Sequence, residues 1–552
     1  MADANVLRGG SGNTELTLAE QSRVVAELMR SLGAAPPRQP VELIETHISF
    51  VLLAGVYAYK IKKCVNLGFL DFTTLALRRH FCEEELRLNR RIAPRIYLDI
   101  VPVTSEGGQP VLGGSGAIID VALRMRAFAQ EGLWEHRAAH GGLEPQHIDE
   151  LAQALCAFHR DAAVAPDDSA YGEPAQVRAP MLDTLDALHA LPGDAQRERV
   201  AGVADLRAWE AREFAALEPH FAQRRKAGRV RECHGDLHLG NVTMVDARPT
   251  MFDCLEFDAA LRWTDVMSDV AFMAMDLQRH ARDDLARRFV NAYLEHSGDY
   301  AGTRVLRYYI VYRALVRAKV AALRRAQGAV ASDAVHAYLE VARLCSATSR
   351  PVLFMTHGFS GSGKTAWTGQ LLESIGAIRI RADVERKRLA HLPPLAASHS
   401  ALHAGLYSSA ANAATHACLR SAATSVLQGG WSAILDATFL ASEPRHQARA
   451  LARQLGVRLV ILDFHAGTDT LRRRILARAR LGDDASEAGL AVLDDQIAND
   501  EPLGPDEKPD VFSIDTDRSL SQVKRLDAGF LDDSFEKCLE WIQHGDFPCP
   551  NH

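Results

Sequence analysis

An apolar run, Pro351-Val-Leu-Phe-Met-Thr-His357, leads directly into Gly358-Phe359-Ser360-Gly361-Ser362-Gly363-Lys364-Thr365, and helix-forming residues follow from Ala366. This junction constrains the fold more than any other stretch of the chain. Glycines at this spacing let backbone N–H groups converge on phosphate oxygens, and the dipole of the following helix favours the same charge. The lysine reaches the β- and γ-phosphates, and the threonine hydroxyl helps to hold Mg2+. Short apolar runs at 377–380, 432–435, 458–464 and 511–514 alternate with helical patterns. Strand–helix alternation of this kind predicts a parallel, doubly wound α/β sheet. A closing helix is expected over 535–542.

Two carboxylates stand at strand ends in this region. Asp436 closes the run at 432–435, where it orients Mg2+ or a nucleophile, or caps a turn. Asp383 follows the run at 377–380, with Arg386 and Lys387 one helical turn on. A carboxylate beside two cations there serves as a base or substrate anchor, or is one half of a surface ion pair. Arg474 and Arg478, four apart, share a helix face and read either as a lid over transferring phosphates or as an ordinary basic face.

At 552 residues the chain exceeds one ordinary core. The pattern divides it into a lead at 1–40, a first domain at 41–345, a linker at 346–350 and a phosphate-loop domain at 351–545. In the first domain, runs at 48–53 and 56–61 flank Ala54-Gly55 as a hairpin. A helix is expected over 74–92, then strands at 96–103 and 117–124, and mostly helix beyond 133. His234-Gly-Asp236-Leu-His238-Leu-Gly-Asn241 has the Asp-x-x-x-x-Asn spacing of a kinase catalytic loop. In that reading Asp236 accepts a hydroxyl proton, and Asn241 and the later Asp253 face a metal.

The chain has ten lysines against 53 arginines, so a lysine marks a place where a compact ammonium is needed. Strand periodicity puts Lys60 on one face with Ala58, where an adenine could lie, and Lys62 shares that face as the rival. Glu85 on the next helix is the expected ion-pair partner, with Glu83 and Glu84 competing. His234, Asp236 and His238 also alternate like metal ligands, but no Cys/His cluster accompanies them.

The phosphate-loop region resembles small P-loop kinases of the AAA-type ATPase group, related to zeta toxins, chloramphenicol phosphotransferase and gluconate kinase. The resemblance covers about 351–507. Its motifs are the glycine loop, Arg381-Ala-Asp383-x-x-Arg386-Lys387, Leu435-Asp436-Ala-Thr and Arg474-x-x-x-Arg478. It implies transfer to small hydroxylated molecules, with Asp383 as base and Asp436 as the Mg2+-orienting acid.

Residues 41–345 resemble the aminoglycoside phosphotransferase-like branch of the protein-kinase fold, which includes choline kinases. This implies a bilobal α+β fold and use of ATP and Mg2+, with Asp269 bracing the catalytic loop. The pairing of the two regions resembles a bacterial family that fuses an aminoglycoside phosphotransferase-like domain to a P-loop domain. One departure stands out: no Gly-x-Gly-x-x-Gly precedes the hairpin, and Glu45-Thr46-His47 occupies that place.

A net charge of −7 gives no reason to expect a nucleic-acid or anionic-membrane partner. No run approaches the roughly 20 apolar residues of a membrane helix. The N-terminus lacks the order of a signal peptide, and the nine cysteines contain no Cys-x-x-Cys pair, so a reducing cytoplasm is the expected setting. The expected function is a two-site ATP- and Mg2+-dependent phosphotransferase. The alternatives are a protein in which one domain senses nucleotide and controls the other or a partner, and a plain ATPase.

Overall fold

The computed structural model describes residues 15–34, 40–68, 70–190, 196–326, 334–398, 400, 403–481 and 484–517. The helix expected at 535–542 lies outside them. The described residues divide into two compact units: one takes in those up to Arg282 together with Tyr308–Cys345, the other Asp283–Arg307 and the described residues from Ser346 to Asp517.

The first unit opens with α1 (Leu18–Ala34), β1 (Val41–Glu45), β2 (Ser49–Ala54), β3 (Tyr57–Lys62), α2 (Leu75–Asn89), β4 (Tyr97–Glu106), β5 (Gln109–Leu112) and β6 (Ala117–Arg126). The strands form one antiparallel sheet in the order β1-β2-β3-β6-β4-β5. Alternation sorts its side chains onto two faces. Phe50, Leu52, Ile61, Val103 and Ala122 meet Val25 and Leu28 of α1 on one face. Ala58, Tyr97, Leu123 and Met125 form a core on the other. Thr74 caps α2, its hydroxyl accepting the Leu77 N–H at 3.1 Å.

Helices α3 (Trp134–Ala139), α4 (Pro145–Asp161), α5 (Pro174–Ala190) and α6 (Gln196–Lys226) follow. Next come β7 (Val230–Glu232), the hairpin β8 (Val242–Val245) and β9 (Arg248–Met251), α7 (Ala259–Arg262), β10 (Trp263–Asp265) and α8 (Val266–Arg279). The apolar run of α8 is buried from Val266 to Leu277.

The second unit takes in α9 (Asp283–Ser297) and the start of α10 (Thr303–Ala326); the rest of α10 and α11 (Ala334–Ser346) belong mainly to the first. Residues 283–307 therefore pack with the phosphate-loop elements, although the sequence reading groups them with 41–345. Amphipathic spacing shows that α9 buries a face, with Leu285, Phe289, Tyr293 and Leu294 inside, but not against what.

The unit continues through β11 (Val352–His357), α12 (Lys364–Ile375), β12 (Ile378–Arg381), α13 (Ala382–Leu389), α14 (Ser409–Gln428) and β13 (Ala433–Asp436). It is completed by α15 (Ser442–Leu455), β14 (Arg458–His465), α16 (Thr468–Leu481), α17 (Leu490–Ala498) and β15 (Val511–Asp515). The five strands are all parallel, in the order β12-β13-β11-β14-β15. All six residues of the central β11 are buried, as an apolar strand covered on both faces requires.

Candidate active sites

The phosphate loop joins β11 to α12. Gly358, Gly361 and Gly363 have φ of 131°, 83° and 88°. Space is as limiting as conformation: a Cβ on Gly358 would lie 2.5 Å from the Phe464 carbonyl oxygen, and one on Gly361 2.8 Å from that of Leu471. Gln496 of α17 fastens the loop from outside, its Oε1 accepting the Ser360 N–H at 2.9 Å and its Nε2 donating to the Ser360 hydroxyl at 3.1 Å. Lys364 Nζ donates to the carbonyls of Gly358 (2.9 Å) and Phe359 (2.7 Å). Burial pulls its pKa down to about 8, against the raising influence of Asp436 and Asp383. A buried ammonium hydrogen-bonded to neutral oxygens, beside a tight glycine loop at a helix start, fits a phosphate chain.

A cleft of about 680 Å³ opens over this loop. Its walls bring together Lys364, Thr365, Asp383, Asp436, Arg474 and Arg478. Asp436, at the end of β13, accepts from Thr368 Oγ1 at 3.4 Å. Asp383 opens α13 and pairs with Arg386 at 2.9 Å. The second expected cation is elsewhere: Lys387, on another side of α13, pairs with Glu487 at 3.0 Å. Arg474 donates to the Thr516 carbonyl at 2.6 Å and to the Gly361 carbonyl at 3.3 Å, which ties α16 to the phosphate loop. Arg478 donates to the Ala488 carbonyl at 2.8 Å.

Arg381, the first residue of the Arg381-Ala-Asp383 motif, also lines the cleft, as do Tyr407, Asn412, His416 and Asp484, which sequence reasoning did not single out. Arg386 faces the Tyr407 ring at 5.0 Å and donates to Asn412 Oδ1 at 3.1 Å. His416, beside Phe439, is lowered to about 4 by burial and by Arg386 and Arg420.

In the first unit, Lys60 of β3 lies 2.7 Å from Glu85 of α2 and 2.7 Å from Asp253. Lys62 also takes Glu85, at 2.7 Å, and contacts Glu256. Of the two lysines, Lys60 is the one that reaches Asp253. Of the three glutamates, Glu85 is the one that turns inward; Glu84 pairs with Arg87 and Arg262, and Glu83 is exposed. Burial works against charge on Lys60, but Asp253 and Glu85 hold its pKa well above the ordinary lysine range. Burial also opposes Glu85, which Lys60 and Lys62 bring down to about 2.

The catalytic-loop segment is braced from behind. Asp269 of α8 accepts the N–H groups of His234 (2.8 Å) and Gly235 (3.0 Å), and His159 approaches it at 3.1 Å. His159, Cys233 and Asp269 have metal-ligand spacing. The Asp269 oxygens are nonetheless committed to backbone N–H groups, and burial pushes the Cys233 thiol far up, so the cluster is read as a brace. Both ring nitrogens of His234 are engaged, Nε2 by the Phe252 carbonyl at 2.8 Å and Nδ1 by the Asp236 N–H at 3.3 Å, which leaves neither for a His-Asp-His ligand set.

Asp236 remains 38% exposed on its side chain and lies 3.5 Å from His238 Nε2. Asn241 Nδ2 donates to the Asp236 carbonyl at 2.9 Å and to its carboxylate at 3.2 Å. Burial raises the Asp236 pKa, but His238 and Arg317 outweigh it and hold the carboxyl below its usual range. Asp253 has φ 63°, in the left-handed region few non-glycine residues adopt, and its N–H donates to the Tyr97 hydroxyl at 3.1 Å. The amide oxygen of Asn241 and the carboxylate of Asp253 are hard donors of the kind Mg2+ takes. At the place a kinase glycine loop would occupy, β1 and β2 meet in a tight turn closed by Thr46, whose Oγ1 accepts the Ser49 N–H at 2.9 Å.

Residues 79–309 match the model of the Phosphotransferase enzyme family, and residues 353–503 match that of an AAA domain. The uncharacterized protein Rv2004c of Mycobacterium tuberculosis is 33% identical over 462 residues, 82% of this chain and 89% of that protein. Uncharacterized protein Mb2027c of Mycobacterium bovis matches to the same extent, 33% over 462 residues. A choline/ethanolamine kinase family protein from Mesorhizobium loti aligns with 58% of this chain and 93% of its own, at 14% identity and TM-score 0.37. A gluconokinase from Sinorhizobium meliloti aligns with 32% and 89%, at 18% identity and TM-score 0.23.

Proposed function

The chain, in which a phosphotransferase-family match precedes an AAA-domain match, belongs to the family of Mycobacterium tuberculosis Rv2004c, and on that premise we propose a two-site, ATP- and Mg2+-dependent kinase of small hydroxylated molecules. The observation that carries the reading is the cleft over the phosphate loop. It gathers a lysine for the phosphates, two strand-end carboxylates and two arginines around one space.

In each site the acceptor oxygen attacks the γ-phosphorus, the bond to the β-phosphate oxygen breaks, ADP leaves, and the hydroxyl proton passes to a carboxylate. That carboxylate is Asp236 in the first site and Asp383 in the second. Lys60, fixed by Glu85, holds phosphate oxygens in the first site; Lys364, Arg474 and Arg478 do so in the second. Mg2+, held by Asn241 and Asp253 in the first site and by Thr365 with Asp436 in the second, supplies charge neutralisation on the phosphates.

The tight Thr46 turn favours a second reading for the first unit alone, in which it binds nucleotide without a phosphate cover and regulates rather than transfers. The seven described cysteines are free thiols, which supports a reducing, cytoplasmic setting. Among the described residues no helix is long and apolar enough to cross a membrane.

The test is ATP consumption by wild type, Lys364→Ala and Asp236→Ala proteins with a pooled metabolite extract, reading species that gain a phosphoryl group by mass spectrometry. Two products, each lost in a different variant, support the two-site kinase. Nucleotide binding without product supports the regulatory reading.

A further inference from the structure

β12 is one of the two edge strands of the parallel sheet, and α9 covers its open side. Asn291, 4% exposed, presents Oδ1 to the Arg379 N–H at 2.7 Å. One helical turn on, Glu295 meets Arg381 at 3.1 Å and Arg379 at 3.7 Å. The Tyr300 hydroxyl donates to Glu385 of α13 at 3.1 Å, and Arg287 donates to the Glu373 carbonyl at the end of α12 at 2.9 Å.

Arg381 is held from two sides. Its other nitrogen meets Asp484, just beyond α16, at 2.6 Å. Arg381 stands two residues before Asp383, and α16 carries Arg474 and Arg478. One guanidinium thus links the strand end that bears the proposed base to the segment that follows the proposed phosphate-binding arginines. A bidentate fork between two carboxylates has a defined orientation, which a single contact does not give. Both Arg381 and Asp484 line the cleft. Glu295 lies outside it and outside the AAA-domain match at 353–503; the match that includes it, 79–309, is to the other kind of domain.

We propose that Glu295 is a positioning residue of the P-loop site, fixing Arg381 and through it both the Asp383 end of β12 and the Asp484 segment. The proposal rests on the reading of that cleft as a phosphotransfer site. Glu295 touches no reacting atom.

The test uses the full-length chain as wild type, Glu295→Gln, Arg381→Gln and the double variant. It has two readouts: hydrogen exchange over residues 484–488, and the ATP turnover that Lys364→Ala abolishes. In Glu295→Gln, exchange over 484–488 is expected to rise about tenfold as the segment opens locally. Lys364-dependent kcat is expected to fall about tenfold, with KM for ATP within about twofold. Adding Glu295→Gln to Arg381→Gln is expected to change neither readout further, because the action runs through that arginine.

Unchanged exchange in Glu295→Gln, or an equal loss with and without Arg381, overturns the proposal. Asn291→Ala controls for α9 packing: it lowers the melting temperature but leaves exchange over 484–488 unmoved, and a rise there equal to that of Glu295→Gln also overturns the proposal. If Glu295→Gln does not fold, Glu295→Asp, which shortens the reach to Arg381 while keeping the charge, is held to the same outcomes. A wild-type protein without Lys364-dependent turnover removes the kinase reading, and the exchange data then decide the role of Glu295 alone.

Discussion

Lys60 and Lys62, two residues apart on β3, divide one carboxylate: each Nζ lies 2.7 Å from a different oxygen of Glu85. Both lysines are buried, and Glu85 is 0% exposed. Its negative charge is therefore shared between the lysine that reaches Asp253 and a lysine locked to Glu256.

Glu85→Gln leaves two buried ammonium groups short of a counter-charge. Breaking a buried pair from one side costs about 3 kcal/mol or more. The expected outcome is a lower urea midpoint for the first unit and at least a tenfold loss of Asp236-dependent transfer. Lys364-dependent turnover is expected to stay at the wild-type level, measured in the same preparation.

Lys364 presents the opposite balance. Its buried ammonium is hydrogen-bonded to carbonyls, a costly arrangement that the proposed phosphate-binding role accounts for. Lys364→Met is expected to abolish ADP binding at that site by calorimetry, while raising the unliganded melting temperature by about 2 °C.

His416 sets a pH dependence. Its folded pKa, lowered to about 4, lies below the unfolded value near 6.5. Between those values the unfolded chain binds the extra proton and the folded chain does not, so stability falls as pH drops from about 6.5 to 4. His416→Gln is expected to lose roughly 1–2 kcal/mol less than wild type across that window, read from urea midpoints at pH 7, 5.5 and 4.5.

The surroundings of Asp236 argue against cationic acceptors. His238 lies beside its carboxylate, and Arg317 approaches the His238 ring at 3.3 Å. A cationic acceptor would meet the Arg317 guanidinium near the point of transfer. Kanamycin and choline are expected to yield no phosphorylated product, and expression is expected to leave aminoglycoside inhibitory concentrations unchanged. Phosphorylated kanamycin in the mass spectrum would refute this.

Much of the second unit was legible because its chemistry is contiguous: strand, glycine loop, Lys364 and helix run unbroken from Val352 to Ile375, and the parallel order follows from strand–helix alternation. Lys60, Glu85, Asp236 and Asp253 could be proposed from spacing and face, but the division of Glu85 between two lysines could not, because periodicity alone leaves Lys60 and Lys62 equivalent. Lys387 was expected near Asp383 because it is near in sequence; helix geometry turns it toward Glu487 instead. The roles of Asn291 and Glu295 were invisible, since an amphipathic helix announces a buried face without naming its partner. Asp484 and Gln496 reach the cleft only through tertiary packing of the segments around α16 and α17.

The cover that α9 lays along β12 bears on how the chain can be divided. A cut at the 346–350 linker separates the parallel sheet from Asn291 and leaves the Arg379 N–H on an open strand margin. Exposed margins of this kind recruit other chains and drive self-association. A fragment beginning at residue 346 would therefore tend toward insoluble or filamentous material on expression, and its inactivity would reflect a missing neighbour rather than a missing catalytic group.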